Sequence, residues 1–219
     1  MRRIILLFLF SFGLSIAWTQ STPAYWNDIL AFKSRDSIES IPKHPILFVG
    51  SSSFTKWTDI NSYFPGYPII NRGFGGSTLV DVIRYTYDII LPYFPKQVVV
   101  YCGENDLANS QLVTPTEVLK RYQTLFRMIR TNLPRTKMSF VSIKPSPVRA
   151  GIQPRVIEAN RLISSWIKTQ QNADFVDIYK PMLDNKGKMR EQLYIGDRLH
   201  MKPAGYAIWK HYILPHLVK

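Results

Sequence analysis

The run ILFVGSSSFTKW (Ile46–Trp57) decides how the rest of the chain is read. Pro45–Gly50 is a short apolar stretch closed by glycine, the pattern of a buried strand. Three adjacent hydroxyls follow it. A serine at that place sits at the edge of a sheet, where it serves either as a nucleophile or as an ordinary turn and cap residue. The choice between the two depends on what the rest of the chain brings to the same edge.

Further strands are expected at Tyr67–Asn71, Lys96–Gly103, Lys137–Pro145 and Asp174–Tyr179, apolar or β-branched runs bounded by glycine, proline or polar residues. Between them lie segments with helical spacing. The first is Ala24–Ser40. The second opens at Ser77 and runs to Pro92. A third starts near Thr114 or Thr116 and carries a stripe through Val118, Tyr122, Leu125, Phe126 and Ile129. The fourth follows Gln153, and the last follows Pro203. Strands alternating with helices imply an α/β fold, a parallel sheet flanked by helices. No linker, repeat or low-complexity segment divides the chain, so one domain over 45–219 is expected, preceded by an N-terminal helical segment over 18–44. In open α/β sheets the loops after the strand C-termini form the crevice. The loops after Gly50, Asn71, Cys102 and Ile143 should therefore face one another.

Composition supports a packed domain: 219 residues, 46% hydrophobic and 20% charged. The formal net charge is +13, with a pI near 9.9. The lysines and arginines are scattered, and no zinc-finger spacing, RNP motif or recognition-helix pattern is present. A basic solvated surface is expected, with no nucleic acid partner, although the charge suits an anionic polymer substrate. The N-terminal MRRIILLFLFSFGLSIAWTQS has two arginines, an apolar stretch too short for a comfortable membrane span, then polar residues. It reads as a signal peptide over 1–17, cut after Ala17, with an uncleaved anchor as the alternative. The protein is then exported, periplasmic or secreted. Cys102 is the single cysteine and is expected to be a buried, inert thiol. Among His44, His200, His211 and His216, only His200 has an acid, Asp197, at close spacing, so neither metal nor cofactor is expected.

Four stretches carry chemistry. GSSS (Gly50–Ser53) ends the first core strand. NRGFGGST (Asn71–Thr78) follows the second; its glycines let backbone N–H groups approach a ligand, but it lacks the final glycine of a dinucleotide fingerprint. GENDLA (Gly103–Ala108) follows the third. There Asn105 is either a neutral oxyanion donor or the centre of an Asx-turn. GDRLHMKPAGY (Gly196–Tyr206) precedes the last helix; Asp197 can reach Nδ1–H of His200 and leave Nε2 free as a general base. Taken together, in this order and each at a strand end, these stretches resemble the SGNH (GDSL-type) hydrolase family. The resemblance covers about Pro45 to Tyr206. It implies a three-layer α/β/α sandwich with a five-stranded sheet of flavodoxin-like order. It places Ser52 at the nucleophile, Gly76 and Asn105 with the Ser52 N–H at the oxyanion hole, and Asp197 and His200 as partners of the serine. Chemistry alone does not separate Ser51, Ser52 and Ser53; family spacing selects Ser52. One departure is that Ser51 stands where the family has aspartate. G-x-S-x-G is absent, since Phe54 replaces the last glycine. The implied function is ester hydrolysis through an acyl-enzyme, on short acyl groups because no long apolar insertion builds a lid, with O-acetylated carbohydrate as an expected substrate. A lysophospholipase or thioesterase on longer chains, or a non-catalytic carbohydrate-binding protein, are the alternatives.

Overall fold

Five strands, β1 (Ile46–Gly50), β2 (Ile69–Gly73), β3 (Gln97–Tyr101), β4 (Lys137–Val141) and β5 (Ala173–Val176), form one sheet in the computed structural model, which describes residues 22–219. The expected leader over 1–17 lies outside the described residues. Every pairing is parallel, in the order β2-β1-β3-β4-β5. In chain order the helices are α1 (Trp26–Asp36), α2 (Ser52–Thr55), α3 (Ile60–Tyr63), α4 (Leu79–Arg84), α5 (Thr86–Ile89), α6 (Glu104–Asn109), α7 (Pro115–Asn132), α8 (Gln153–Ile167) and α9 (Pro203–Ile213).

Alternation along the strands assigns the layers. Leu47, Val49, Val98 and Val100 join a core with residues of α1, α4, α5, α7 and α8. Ile46, Phe48, Val99 and Tyr101 join a second core with Phe54 of α2, Ile60 of α3 and Trp209 of α9. The sheet is thus covered on both faces, as a parallel sheet requires, and this is why β1 and the Val98–Tyr101 stretch of β3 read as apolar runs. The result is a three-layer α/β/α sandwich. Helix α1 belongs to the first core through Ile29 and Phe32, both buried.

Several elements depart from the sequence reading. The helix expected from Ser77 to Pro92 breaks at Tyr85, whose φ/ψ of −98°/12° leaves the helical region. Its ring is buried between Trp26 and Phe74, and its hydroxyl donates to the Ala24 carbonyl. A tertiary contact overrides local periodicity there. Strand β4 stops at Val141 rather than Pro145 because Asn160 takes over the pairing: its Oδ1 accepts from Ile143 N and its Nδ2 donates to Ile143 O, both at 2.8 Å. GENDLA is not a loop; Glu104–Asn109 is the short helix α6. Helix α7 matches its expected stripe, and Thr114 is the cap, its hydroxyl accepting from Glu117 N at 3.1 Å.

Order β2-β1-β3 means the chain winds to one side of β1 and then to the other. The crevice of a doubly wound sheet opens where this reversal occurs, at the carboxyl ends of the strands. That point lies beyond Gly50 and Tyr101, where the segments carrying Ser52 and Asn105 begin.

Candidate active site

Gly50 makes the turn out of β1. Its φ is +135°, and a Cβ there would lie 1.9 Å from the Tyr101 carbonyl oxygen. Only glycine fits. The close approach lets Ser51 N donate to that carbonyl at 3.0 Å. The chain then enters α2, fixed from below by Phe54, which packs against Phe48, Tyr101 and Trp209. Asn71 holds the other side, donating from Nδ2 to Phe54 O at 2.7 Å and accepting from Gly73 N at 2.9 Å. Trp57, which closes the opening run, is buried and stacks on Tyr206 at 4.7 Å.

This scaffold separates the three serines. Ser51 and Ser53 are buried, with 3% and 2% exposure, whereas Ser52 is partly exposed. Ser52 Oγ lies 3.0 Å from His200 Nε2. His200 Nδ1 lies 2.6 Å from Asp197 Oδ2. The other oxygen, Asp197 Oδ1, accepts from the backbone N–H of Leu199 and of His200, both at 2.9 Å. Burial by itself pushes the Asp197 carboxyl up, but the His200 N–H, the His200 ring and the Leu199 N–H outweigh it and bring it down to about 2. An ionised Asp197 keeps a proton on Nδ1 and leaves Nε2 facing the serine.

The turn after β2 meets the same place. Gly76 has φ +82°. A Cβ on Gly75 would lie 4.0 Å from Ser52 Cβ, while one on Gly76 would meet the Tyr25 hydroxyl at 3.3 Å. The exposed Gly75–Gly76 segment thus lies between Ser52 and Tyr25. Among the described residues, the N–H groups of Ser52, Gly75 and Gly76 donate to no protein acceptor. Free N–H groups beside a serine hydroxyl within reach of a histidine are what an oxyanion hole is built from. Tyr25 itself is strained, with φ +65°. Nothing in the sequence marked it, because the contact joins the segment before α1 to a loop about 50 residues away.

Asn105 sits in the first turn of α6 and is buried, at 6% exposure. The Asx-turn expected as one alternative is absent: Oδ1 accepts from Arg149 Nη2 at 2.8 Å rather than from its own backbone. Its Nδ2 donates to Ser51 Oγ at 2.8 Å and to Ser77 O at 3.0 Å. The resting amide is therefore aimed at the serine loop, with Ser51 Oγ and Ser77 O each taking one of its two donors. Next to it, Asp106 accepts from Leu79 N at 3.0 Å and from Arg121 at 2.9 Å, tying α6 to the start of α4. Glu104, Arg149 and Lys144 were also unmarked in the sequence. They pair across some 40 residues, and no local spacing signals that. Cys102 is buried, and its burial pushes the thiol well up, which makes it a poor nucleophile. No group of three or more metal-ligating side chains occurs among the described residues.

Residues 46–208 match the model of the GDSL-like lipase/acylhydrolase family. Solved structures share the fold. A GDSL-like lipase of Bacteroides thetaiotaomicron superimposes with a TM-score of 0.72 at 21% identity, over 86% of this chain and 96% of that one. A Streptococcus pneumonia protein provisionally described as a platelet activating factor gives a TM-score of 0.76 at 20% identity, over 88% and 92%. An acetylxylan esterase of Geobacillus stearothermophilus gives 0.63 at 14%, over 80% and 95%. Among curated proteins none is significantly similar.

Proposed function

The chain belongs to the GDSL-like lipase/acylhydrolase family and is a carboxylic ester hydrolase; we propose that it works through an acyl-enzyme on Ser52. The observation that carries this reading is the continuous chain Ser52 Oγ–His200 Nε2 and His200 Nδ1–Asp197, at 3.0 and 2.6 Å. Those distances are within hydrogen-bond reach for a nucleophile, its base and the group that orients the base.

In this mechanism His200 Nε2 takes the Ser52 proton as Oγ bonds to the ester carbonyl carbon. The carbonyl oxygen becomes an oxyanion. It is met by the N–H of Ser52 and of Gly76, and by the Asn105 amide as it exchanges its Ser51 contact for the oxyanion. The C–O bond to the alcohol breaks, and His200 returns its proton to the departing oxygen. A water then attacks the acyl-enzyme by the same route, gives its proton to His200, and Ser52 regains it as the acid leaves. No step requires a metal or cofactor.

The acyl group is read as short, acetyl above all, and the alcohol as a carbohydrate. Supporting this, two exposed apolar side chains lie beside the catalytic loop and leave it open: Val148, whose N–H donates to Arg198 O, and Ile195, whose N–H donates to His200 O. Two acetylxylan esterases have the same fold. The basic composition suits an anionic glycan. The signal-like N-terminus supports export to the periplasm or beyond, and N-terminal sequencing of exported protein is expected to start at Trp18; an intact Met1 in the membrane fraction would favour the anchor. Hydrolysis rates on an ester series of rising acyl length, with an acetylated polysaccharide alongside, test the substrate. The highest kcat/KM is expected for acetyl. A maximum at long chains would instead indicate a lysophospholipase or thioesterase. Binding of polysaccharide without turnover of any ester would indicate a carbohydrate-binding protein.

A further inference from the structure

A buried charge cluster lies directly behind Asn105, and the mechanism above does not use it. Its centre is Glu104, whose side chain is 5% exposed. Four donors converge on that one carboxylate. Oε2 accepts from Lys144 Nζ at 2.6 Å and from the Tyr101 hydroxyl at 2.7 Å. Oε1 accepts from the Ser146 hydroxyl at 2.5 Å and lies 3.3 Å from Arg149 Nη1. Burial alone would push the Glu104 carboxyl up; Lys144 and Arg149 outweigh it, so the group is held ionised. A buried ion pair is a poor way to gain stability, because desolvation offsets most of the attraction. What this cluster achieves is placement. Arg149 Nη1 is anchored on Glu104, and its second nitrogen, Nη2, donates to Asn105 Oδ1 at 2.8 Å.

We infer that Arg149, held in place by Glu104, is the positioning residue for the Asn105 amide in ester hydrolysis. This rests on the reading of Asn105 as an oxyanion donor. Guanidinium only donates hydrogen bonds, so the amide atom that faces it must be the oxygen. The NH2 group is thereby forced to the opposite side, toward Ser51 Oγ, Ser77 O and the serine loop. The charge-assisted bond also draws electron density toward Oδ1 and strengthens the N–H groups as donors, since hydrogen bonds in a chain polarise one another. A wrongly turned amide would present its oxygen to the developing negative charge, which would oppose the reaction. Glu104 and Asn105 are adjacent in α6, so a single helical turn holds both the donor and the anchor of its positioner.

A double-mutant cycle tests this, with kcat and KM measured on an acetyl ester and Tm measured for every variant. Arg149→Met is expected to lower kcat by about 10- to 100-fold, the range typical of residues that orient a catalytic group, while KM changes by less than about twofold. Asn105→Ala is expected to lower kcat by about 100- to 1,000-fold. In the Asn105→Ala background, Arg149→Met is expected to cost nothing further, because the group it positions is gone. Arg149→Lys keeps a cation beside Glu104 but has no fork to reach both partners; it is expected to fold and to retain intermediate kcat. Costs that multiply in the double variant would overturn the inference, as would an Arg149→Met effect confined to KM, which marks a substrate-binding cation. Wild-type kcat in Arg149→Lys and Arg149→Met would also overturn it. Full activity in Asn105→Ala would instead overturn the oxyanion reading beneath it.

Discussion

At the residue scale, burial separates three consecutive serines: Ser51 and Ser53 are buried and Ser52 alone is partly exposed. Ser52 is the one that reaches His200, while Ser51 is turned inward as an acceptor for Asn105. Chemistry in the sequence left the three equivalent, because a hydroxyl's direction depends on the turn that Gly50 imposes and not on its neighbours' identity. The pairing of Asp197 with His200 was legible, since both lie on one loop three residues apart. Arg149 was not, since it meets Asn105 only after two helices and a strand have been laid down. Two variants examine the residue-level account. Removing one oxyanion donor costs about 2.7–4 kcal/mol, so Asn105→Ala should lose about 100- to 1,000-fold in kcat with KM nearly unchanged. Asn105→Asp should be worse, because it loses the donor and repels the oxyanion; an active and stable Asn105→Asp enzyme would contradict the role. Asp197 supplies a pH signature. Its carboxyl is held at about 2, below its ordinary value, so its contribution to stability is present above pH 4 and is lost as pH falls toward about 2. Thermal unfolding of the wild type should therefore approach that of Asp197→Asn as pH drops from about 4 to about 2, and a constant gap between them across that range would contradict the assignment.

At the element scale, the strand–turn–helix unit of β1 and α2 is tightly constrained. Gly50→Ala should force a Cβ against the Tyr101 carbonyl at a φ that L side chains rarely adopt. Strain and overpacking together should cost about 3 kcal/mol or more. For a domain of this size that lowers Tm by about 6 °C or more. Unchanged thermal unfolding in Gly50→Ala would mean the turn is looser than described. Strand identity and order of elements were readable because each strand is a compact apolar run between polar breaks. Element ends were not. Val141 ends β4 because Asn160 captures Ile143, and Tyr85 breaks a regular helical pattern because its ring packs beside Trp26. Both causes are distant in sequence. Helix α6 was missed because GENDLA is only six residues long and carries three polar side chains that are all buried, a pattern that reads as a loop.

At the scale of the whole molecule, alternation of strands and helices was enough to give a parallel sheet, and the family resemblance supplied its order. The tie between the N-terminal segment and the site was not visible. Helix α1 buries Ile29 and Phe32 in the core, Asp36 accepts hydrogen bonds from Arg72 and Tyr93, and Tyr25 lies over the Gly75–Gly76 turn. Losing the burial of two large apolar side chains costs about 3–6 kcal/mol. A chain beginning at residue 41 should therefore unfold at markedly lower urea than one beginning at residue 22; equal midpoints would show α1 to be dispensable. Among the described residues no helix is long and apolar enough to cross a membrane. If Ser52 is the nucleophile, its hydroxyl alone becomes acylated. A fluorophosphonate, which reacts with serines activated by a neighbouring base, tests it directly by intact mass and peptide mapping. One adduct per chain is expected, on Ser52, and in Ser52→Ala no adduct together with kcat lower by several orders of magnitude, as roughly expected for loss of a nucleophile. An adduct on Ser51 or Ser53, or wild-type turnover in Ser52→Ala, would contradict it.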